Sequence, residues 1–264
     1  MYNKAIRRFI LMNKNERMRR ILDELNKENV IEVKQMSENF QVSMETIRRD
    51  LEALEKQHFL KRVHGGAIAL KRNIHATNFT ERKMIHIQEK QMIAKACVSL
   101  VQENDFLAFD VSTTNTMIVQ ELINHYKKLT ILTNSLLIAQ QVAYDTDWTI
   151  LLPGGQVNNN ELFVGGSASI EYINQFQIDK FFMSISGFTP EIGFMDYGFQ
   201  EFEVKKAMYD NANQIYAVAD HHKFGQYAPL KICQASEVTG LVTDEGIDQK
   251  IVKFFEDNKH LIYY

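Results

Sequence analysis

Three groupings of residues in this sequence are of types that do chemistry. Ser112-Thr113-Thr114 stand where the β-rich run FLAFD (106–110) gives way to a helical segment. Hydroxyls and free helix-N-terminal amides placed there present donors to an anion such as phosphate. Asp110, Glu203 and Lys205 could serve as the acid-base groups of an isomerase. Arg48 and Arg49, adjacent within VSMETIRRDL (42–51), carry guanidinium groups suited to phosphates and base edges.

The first two groupings belong to a repeating pattern. From about Gln88 to Glu103 the chain reads as a helix that buries Ile93, Ala94, Cys97, Leu100 and Val101. Then FLAFD, LTILTNS, WTILLPGG, KFFMSISG, QIYAVAD and GLVTD follow as short β-rich runs, most of them separated by amphipathic segments such as MIVQELINHY and EVKKAMYDNA. This is an α/β pattern with a mainly parallel sheet. The runs exit into small or polar residues: Asp110 to Thr114, Thr133-Asn134-Ser135, Gly154-Gly155, Ser186-Gly187, and Asp220 followed by His221, His222 and Lys223. Strand-to-helix turns use such residues for their own sake, but ligands in open α/β sheets lie beyond the carboxyl ends of the strands. Five such exits are therefore expected to converge on one pocket.

Asp110, Asn134, Asp220, Glu201 and Glu203 would offer acceptors to sugar hydroxyls, and Lys205 and Lys223 would supply positive charge. A phosphorylated sugar fits this mixture better than a nucleotide, because the chain has neither a Gly-x-x-x-x-Gly-Lys-Ser/Thr nor a Gly-x-Gly-x-x-Gly sequence. His221 and His222 are adjacent rather than one helical turn apart, and no Cys/His cluster appears, so loop residues are expected there, with no metal site and no cofactor.

The basic pair sits in a different pattern. Apolar residues recur at helical spacing through Met18, Ile21, Leu22 and Leu25, break near Asn29-Val30, and resume with Val33, Met36 and Phe40. After a tight connection through Gln41 and Val42, Ser43 is placed to cap a third helix. Ile47, Leu51 and Leu54 form its inner stripe, while Glu45, Arg48, Arg49 and Glu52 point outward. This is the layout of a helix-turn-helix. The segment FLKRVHGGAIAL then alternates and turns on Gly65-Gly66, a β-hairpin wing that carries Lys61, Arg62 and His64. The candidate DNA-contacting set is Ser43, Glu45, Thr46, Arg48, Arg49, Lys61, Arg62, His64 and Gly65. Pairing of the arginines with Glu45 and Glu52 on a solvated face is the plainer alternative.

Bulk properties agree with two soluble parts. The 264 residues are 45% hydrophobic and 24% charged, with a net charge of -3. Residues 1–75 hold 16 basic side chains against 10 acidic, and residues 76–264 hold 14 against 23. A basic head on an acidic body fits a module that meets a polyanion, attached to one that does not. No apolar run approaches the ~18 residues of a membrane span, and none resembles a secretory signal. The chain is thus expected in the cytoplasm, with Cys97 and Cys233 as reduced, inert thiols.

VSMETIRRDLEALEKQHFLKRVHGGA resembles the signature of the DeoR family of bacterial sugar-metabolism repressors, apart from Gln57-His58, where the family has a glycine ending the helix. The body resembles the DeoR sensor domain in Asp110 with Thr113-Thr114, Thr133-Asn134-Ser135, Gly154-Gly155, Gly165, Glu201, Glu203, Lys206 and Met208, and Ala219 to Gly225. Ser112 stands at a family glycine and His222 at a family serine. The resemblance implies a winged helix-turn-helix followed by a domain similar in fold to ribose-5-phosphate isomerase that binds phosphorylated sugars. It also implies that Ser43, Thr46, Arg48 and Arg49 contact DNA, and Asp50 is expected to pair with an arginine and orient it. The expected divisions are an N-terminal extension (1–13), a DNA-binding head (14–71), a linker (72–87) and a sensing and oligomerising body (88–264). The expected function is a repressor of a carbohydrate-use operon, a homo-oligomer that binds double-stranded operator DNA under control of a phosphorylated sugar. A DNA-reading head gives an isomerase no evident use, so an enzyme is the alternative.

Overall fold

The structure, a computed structural model, describes residues 14–28, 30–56, 60–69 and 79–264. The 1–13 extension, Gln57-His58 and the first part of the expected linker lie outside these residues. The chain divides into two compact units, 1–85 and 86–264.

In the first unit, helices α1 (Lys14–Glu28), α2 (Val33–Phe40) and α3 (Met44–Lys56) accompany a three-stranded antiparallel sheet. Its strands β1 (Val30–Glu32), β2 (Leu60–Val63) and β3 (Gly66–Ala69) run in the order β1-β3-β2. Ile21 and Leu25 of α1, Met36 of α2, and Ile47, Leu51 and Leu54 of α3 meet in one core at 0–1% exposure, so each helix buries the stripe that its apolar spacing marks out. Between α2 and α3, Gln41 takes a left-handed conformation (φ 53°), and Ser37 Oγ donates to Val42 O at 2.6 Å, which closes a three-residue turn. Strand β1 falls where the sequence shows only a break; three residues are too few to display an alternation.

Of the two glycines at the wing tip, Gly65 has a φ of +83°, whereas Gly66 already belongs to β3. A Cβ on Gly66 would stand 2.0 Å from Ile31 O, because β1 and β3 pair there through Glu32 and Gly66. A short helix, α4 (Phe79–Lys83), occupies part of the stretch expected to be linker.

The second unit is built on a seven-stranded parallel sheet. Its strands are β4 (Phe106–Phe109), β5 (Thr130–Thr133), β6 (Thr149–Leu151), β9 (Ile178–Ser184), β12 (Ala212–Val218), β14 (Gly240–Val242) and β15 (Leu261–Tyr263). They lie in the order β15-β14-β12-β9-β4-β5-β6, and every neighbouring pair is parallel. Alternate residues face opposite sides: Leu107, Phe109, Ile131, Phe182 and Val218 pack in one apolar layer, while Ala108, Leu132, Phe181, Met183 and Ala217 pack in the other. Helices α5 (Ile87–Val98), α6 (Thr113–Ile123) and α7 (Leu136–Asp145) contribute to the first layer, and α8 (Ser167–Ile173), α9 (Phe199–Asp210) and α10 (Gln249–Asp257) to the second. Helix α5 ends at Val98, short of the expected Glu103.

Two smaller sheets were not foreseen. β7 (Gln156–Asn158) pairs with β8 (Phe163–Gly165), and β10 (Gly187–Thr189), β11 (Gly193–Asp196) and β13 (Leu230–Cys233) form an antiparallel set. Cys97 and Cys233 are buried and unbridged, and burial raises both thiols, Cys233 to about 12.

In the parallel sheet, β5 and β6 lie to one side of β4, and β9, β12, β14 and β15 to the other. The order therefore reverses between β4 and β9. In open α/β sheets ligands lie beyond the carboxyl ends of the strands at such a reversal.

In the first unit, Asp50 bonds Arg17 across α1 and α3, through Nε at 2.5 Å and Nη2 at 3.2 Å, with both residues buried. Asp50→Ala leaves a buried guanidinium without that carboxylate and is expected to cost about 3–5 kcal/mol. Loss of the first unit's cooperative unfolding transition, followed by circular dichroism, measures it.

Candidate functional site

In the first unit, Ser43 caps α3. Its Oγ accepts from Thr46 N at 3.1 Å and lies 2.9 Å from Thr46 Oγ1. Arg48 and Arg49 project outward, their side chains 59% and 78% exposed. Glu45 meets both, at 3.8 and 3.5 Å, while Glu52 pairs with Lys56 rather than with either arginine. Exposed pairs of this kind contribute at most about 1 kcal/mol, so a phosphate or base edge can displace Glu45. Asp50 does not orient these arginines, because its partner is Arg17 on the buried side.

Lys61, His64 and Gly65 are exposed on the wing as expected. Arg62 is instead engaged by Glu55, which accepts from its backbone N and its Nε, both at 2.8 Å. Glu55 lies on the last turns of α3, beside the emerging β2, and so ties the wing to the helix.

In the second unit the reversal between β4 and β9 holds a buried charge cluster. Lys205 of α9 contacts Asp196 of β11, Asp110 Oδ2 at 3.1 Å and Ser184 O at 2.9 Å, and all three charged residues are 1–2% exposed. Asp110 also accepts from Ser184 N at 2.8 Å, from Ser184 Oγ, and from Asn115 Nδ2 at 2.9 Å. Ser186 Oγ donates to Asp196 Oδ1 at 2.7 Å.

Burial pushes the Asp110 carboxyl up against the pull of Lys205. At Asp196 burial acts in the same sense, but the closer contact with Lys205 outweighs it and holds that carboxyl below its ordinary range. Burial disfavours charge on Lys205 too, yet the two carboxylates prevail, so its ammonium stays protonated well above the usual lysine range.

The remaining expected residues divide. Ser112 Oγ accepts from Asn115 N at 2.9 Å, so it caps α6, with Thr113 and Thr114 buried in the first turn beside it. Ser135 caps α7 in the same way. Thr133 Oγ1 donates to Phe109 O at 2.7 Å, and Asn134 Oδ1, expected to accept from a sugar hydroxyl, accepts from Val111 N at 3.0 Å. These two residues fasten the end of β5 to the end of β4.

Gly154 O accepts from Ser169 Oγ at 2.8 Å, and a Cβ on Gly155 would lie 2.4 Å from Gly165 O. Ser186-Gly187 leads into β10, not into a helix. Glu201 opens α9 one turn before Lys205, and its charge bears on that ammonium. Glu203 corrects the expectation of a carboxylate pair: two positions along a helix it points the other way, exposed.

Asp220 and Lys223 stand beyond β12, where Asp220 Oδ1 accepts from His222 N at 3.1 Å. Asp220 meets His222, not Lys205, so the five loops share one edge of the sheet but their polar groups gather in two clusters. Ser184, Asp196 and Asn115 were missed. Asp196 lies on an unforeseen strand, and Asn115 looks like any helix residue until its amide is seen to bond Asp110 O and Phe182 O, both at 3.0 Å.

A capped, outward basic helix on a winged head, followed by a unit with a polar cluster at the switch point of a parallel sheet, is the arrangement of a DNA-binding regulator. Residues 17–73 match the DeoR-like helix-turn-helix domain and residues 85–245 the DeoR C-terminal sensor domain, so the chain belongs to the DeoR family of transcriptional regulators. It is 35% identical over 92% of its length to the HTH-type transcriptional regulator GolR of Listeria innocua, covering 95% of that protein. It is 29% identical to the glycerol-3-phosphate regulon repressor of Escherichia coli over 94% of this chain and 97% of that one. Ribose 5-phosphate isomerase A of Neisseria gonorrhoeae shows a distant likeness, with 13% identity over 55% of each chain and a TM-score of 0.39. No described helix is long and apolar enough to cross a membrane.

Asp196 is a group whose carboxyl is lowered on folding, so it adds stability above its ordinary value of 3.8 and loses that contribution as pH falls further. Wild type is therefore expected to exceed Asp196→Asn in stability by about 3 kcal/mol at neutral pH. The gap closes below pH 3.8. Urea unfolding of both proteins across that range measures it.

Proposed function

We propose that this chain is a repressor that binds operator DNA through α3 and the wing, and releases or tightens its hold when a phosphorylated sugar occupies the crevice between β4 and β9. One observation carries the reading of the head: Arg48 and Arg49 project from the start of a capped helix that follows another across a three-residue turn. That is the placement from which a recognition helix reaches base edges in the major groove. Ser43, Glu45, Thr46, Lys61, His64 and Gly65 flank the pair, whereas Arg62 braces the wing.

For the body, the first turn of α6 at Ser112-Thr113-Thr114 offers amides to a phosphate. Glu201, partly exposed in the first turn of α9, is the carboxylate offered to sugar hydroxyls in this scheme, with buried Asp110 and Lys205 bracing the elements around it. The glycerol-3-phosphate repressor among the relatives favours a small phosphorylated polyol or sugar as effector.

The enzymatic alternative is less favoured: two carboxylates favour the charged form of Lys205, Asp110 bonds Ser184, Asn115 and Lys205, and Glu203 is exposed on another side of α9. We read the cluster as a binding and positioning device. A single head makes few contacts, so the acting species is taken as a homo-oligomer, dimer or tetramer, engaging paired half-sites.

Arg48→Ala is expected to weaken binding to a duplex from the protein's own promoter region by about 5- to 150-fold, the loss of a bidentate base contact. Fluorescence anisotropy at fixed salt measures it. Unchanged affinity would remove α3 from the groove.

A further inference from the structure

The second unit brings together three residues that lie far apart in sequence. His86 immediately precedes α5, while Asp220 and His222 follow β12. One ligand atom from each lies within 4.8 Å of the others. The rings of His86 and His222 are stacked with centroids 3.7 Å apart and an interplanar angle of 25°. Asp220 Oδ1 lies 3.2 Å from His222 Nδ1, and Asp220 is 2% exposed. We propose that His86, Asp220 and His222 form a binding site for a first-row divalent transition ion, with zinc the best fit.

The donor set selects the ion. Two imidazoles and one carboxylate suit zinc, cobalt or nickel, whereas magnesium and calcium favour all-oxygen shells. On a tetrahedral ion with bonds of about 2.1 Å the donor atoms stand about 3.4 Å apart. Closing from 4.8 Å takes a shift of little more than 1 Å, and the His222 side chain, 43% exposed, has room to make it.

His86 holds its backbone at a φ of 53°, in the left-handed region, and makes no side-chain cap to the helix that it precedes. Its ring is turned to His222 instead. His221 is not part of the set: its Nδ1 meets Asp244 Oδ2 at 2.6 Å, and its ring lies 3.8 Å from that of His222. That contact braces His222 from outside.

Lys90 and Lys223, whose charges bear on Asp220, oppose a cation there. The two nitrogen donors must outweigh them, so binding is expected to be weaker than at a structural zinc site with four protein ligands. Three protein donors leave a fourth position open to water or to an oxygen of a small ligand. The proposal does not depend on the identity of the effector.

The test uses the full chain, freed of any affinity tag and stripped with EDTA, titrated separately with cobalt and with zinc. The expected results are one ion per chain, visible ligand-field absorption on adding cobalt, and a rise in melting temperature on adding zinc. His222→Ala is expected to bind at least about 100-fold more weakly, since loss of a direct ligand exceeds the 10- to 100-fold typical of outer partners; because it also removes a partner of buried Asp220, its zinc-induced rise in melting temperature is read against its own metal-free value. His86→Ala should do the same, and His125→Ala, altered in the turn after α6, should bind as wild type does. If His86→Ala melts lower without metal, His222→Ala decides alone. No bound ion at tens of micromolar cobalt or zinc, or binding that persists in His222→Ala, overturns the proposal.

Discussion

Lys205 placed between Asp110 and Asp196 is the interaction on which the body depends. Charges at 1–2% exposure are tolerated only when each is matched by an opposite charge and by hydrogen bonds. Here the matching partners come from the end of β4, the first turn of α6, the end of β9 with Ser186 just beyond it, the last residue of β11 and the middle of α9. Removing water from this cluster therefore fixes where α9 and the small antiparallel sheet sit against the parallel one. The polar groups at the strand reversal are held by one another before any ligand arrives.

The head follows the same physics with the opposite outcome on its two faces. Buried Arg17 and Asp50 lock α1 to α3, where solvent cannot weaken the pair. On the outer face the pairs of Glu45 with Arg48 and Arg49 are exposed and longer, so they are worth little and can be exchanged for contacts to a polyanion. Burial decides which ion pairs hold the fold and which remain available for binding. Glu55 with Arg62 stands between these cases, exposed yet doubly bonded, and couples the wing to the helix that it flanks.

Much of this was legible in the sequence, and the legible parts share a cause. Ile47, Leu51 and Leu54, and the six β-rich runs, declare themselves because local periodicity and burial agree. Ser43 was readable for the same reason, since a cap is defined by its immediate neighbours, whereas Ser112 and Ser135, expected to face a ligand, were not read as the caps they form on α6 and α7. What escaped was set by distant partners. β1 and β15 have three residues each, too few for a pattern. Asp196 acquires its role only when β11 is brought beside α9. Asp50 looked like a companion of Arg48 and Arg49 because they adjoin in sequence, but a helix turns adjacent residues to different faces, and its partner lies 33 positions away. Glu201 and Glu203 failed as a pair for that same geometric reason. His86 had no local signal at all, being isolated in sequence from Asp220 and His222.

Joining the two units into one regulator requires that occupancy of the crevice alter the grip on DNA. A coupling of about 1–3 kcal/mol between them would change operator affinity by about 5- to 150-fold. The most direct measurement is the anisotropy of a labelled promoter duplex, titrated with the protein in the presence of each of a panel of small phosphorylated sugars and polyols. The account predicts that at least one compound shifts the dissociation constant within that range while its unphosphorylated counterpart does not. Tight, sequence-specific DNA binding that no phosphorylated compound shifts would contradict it.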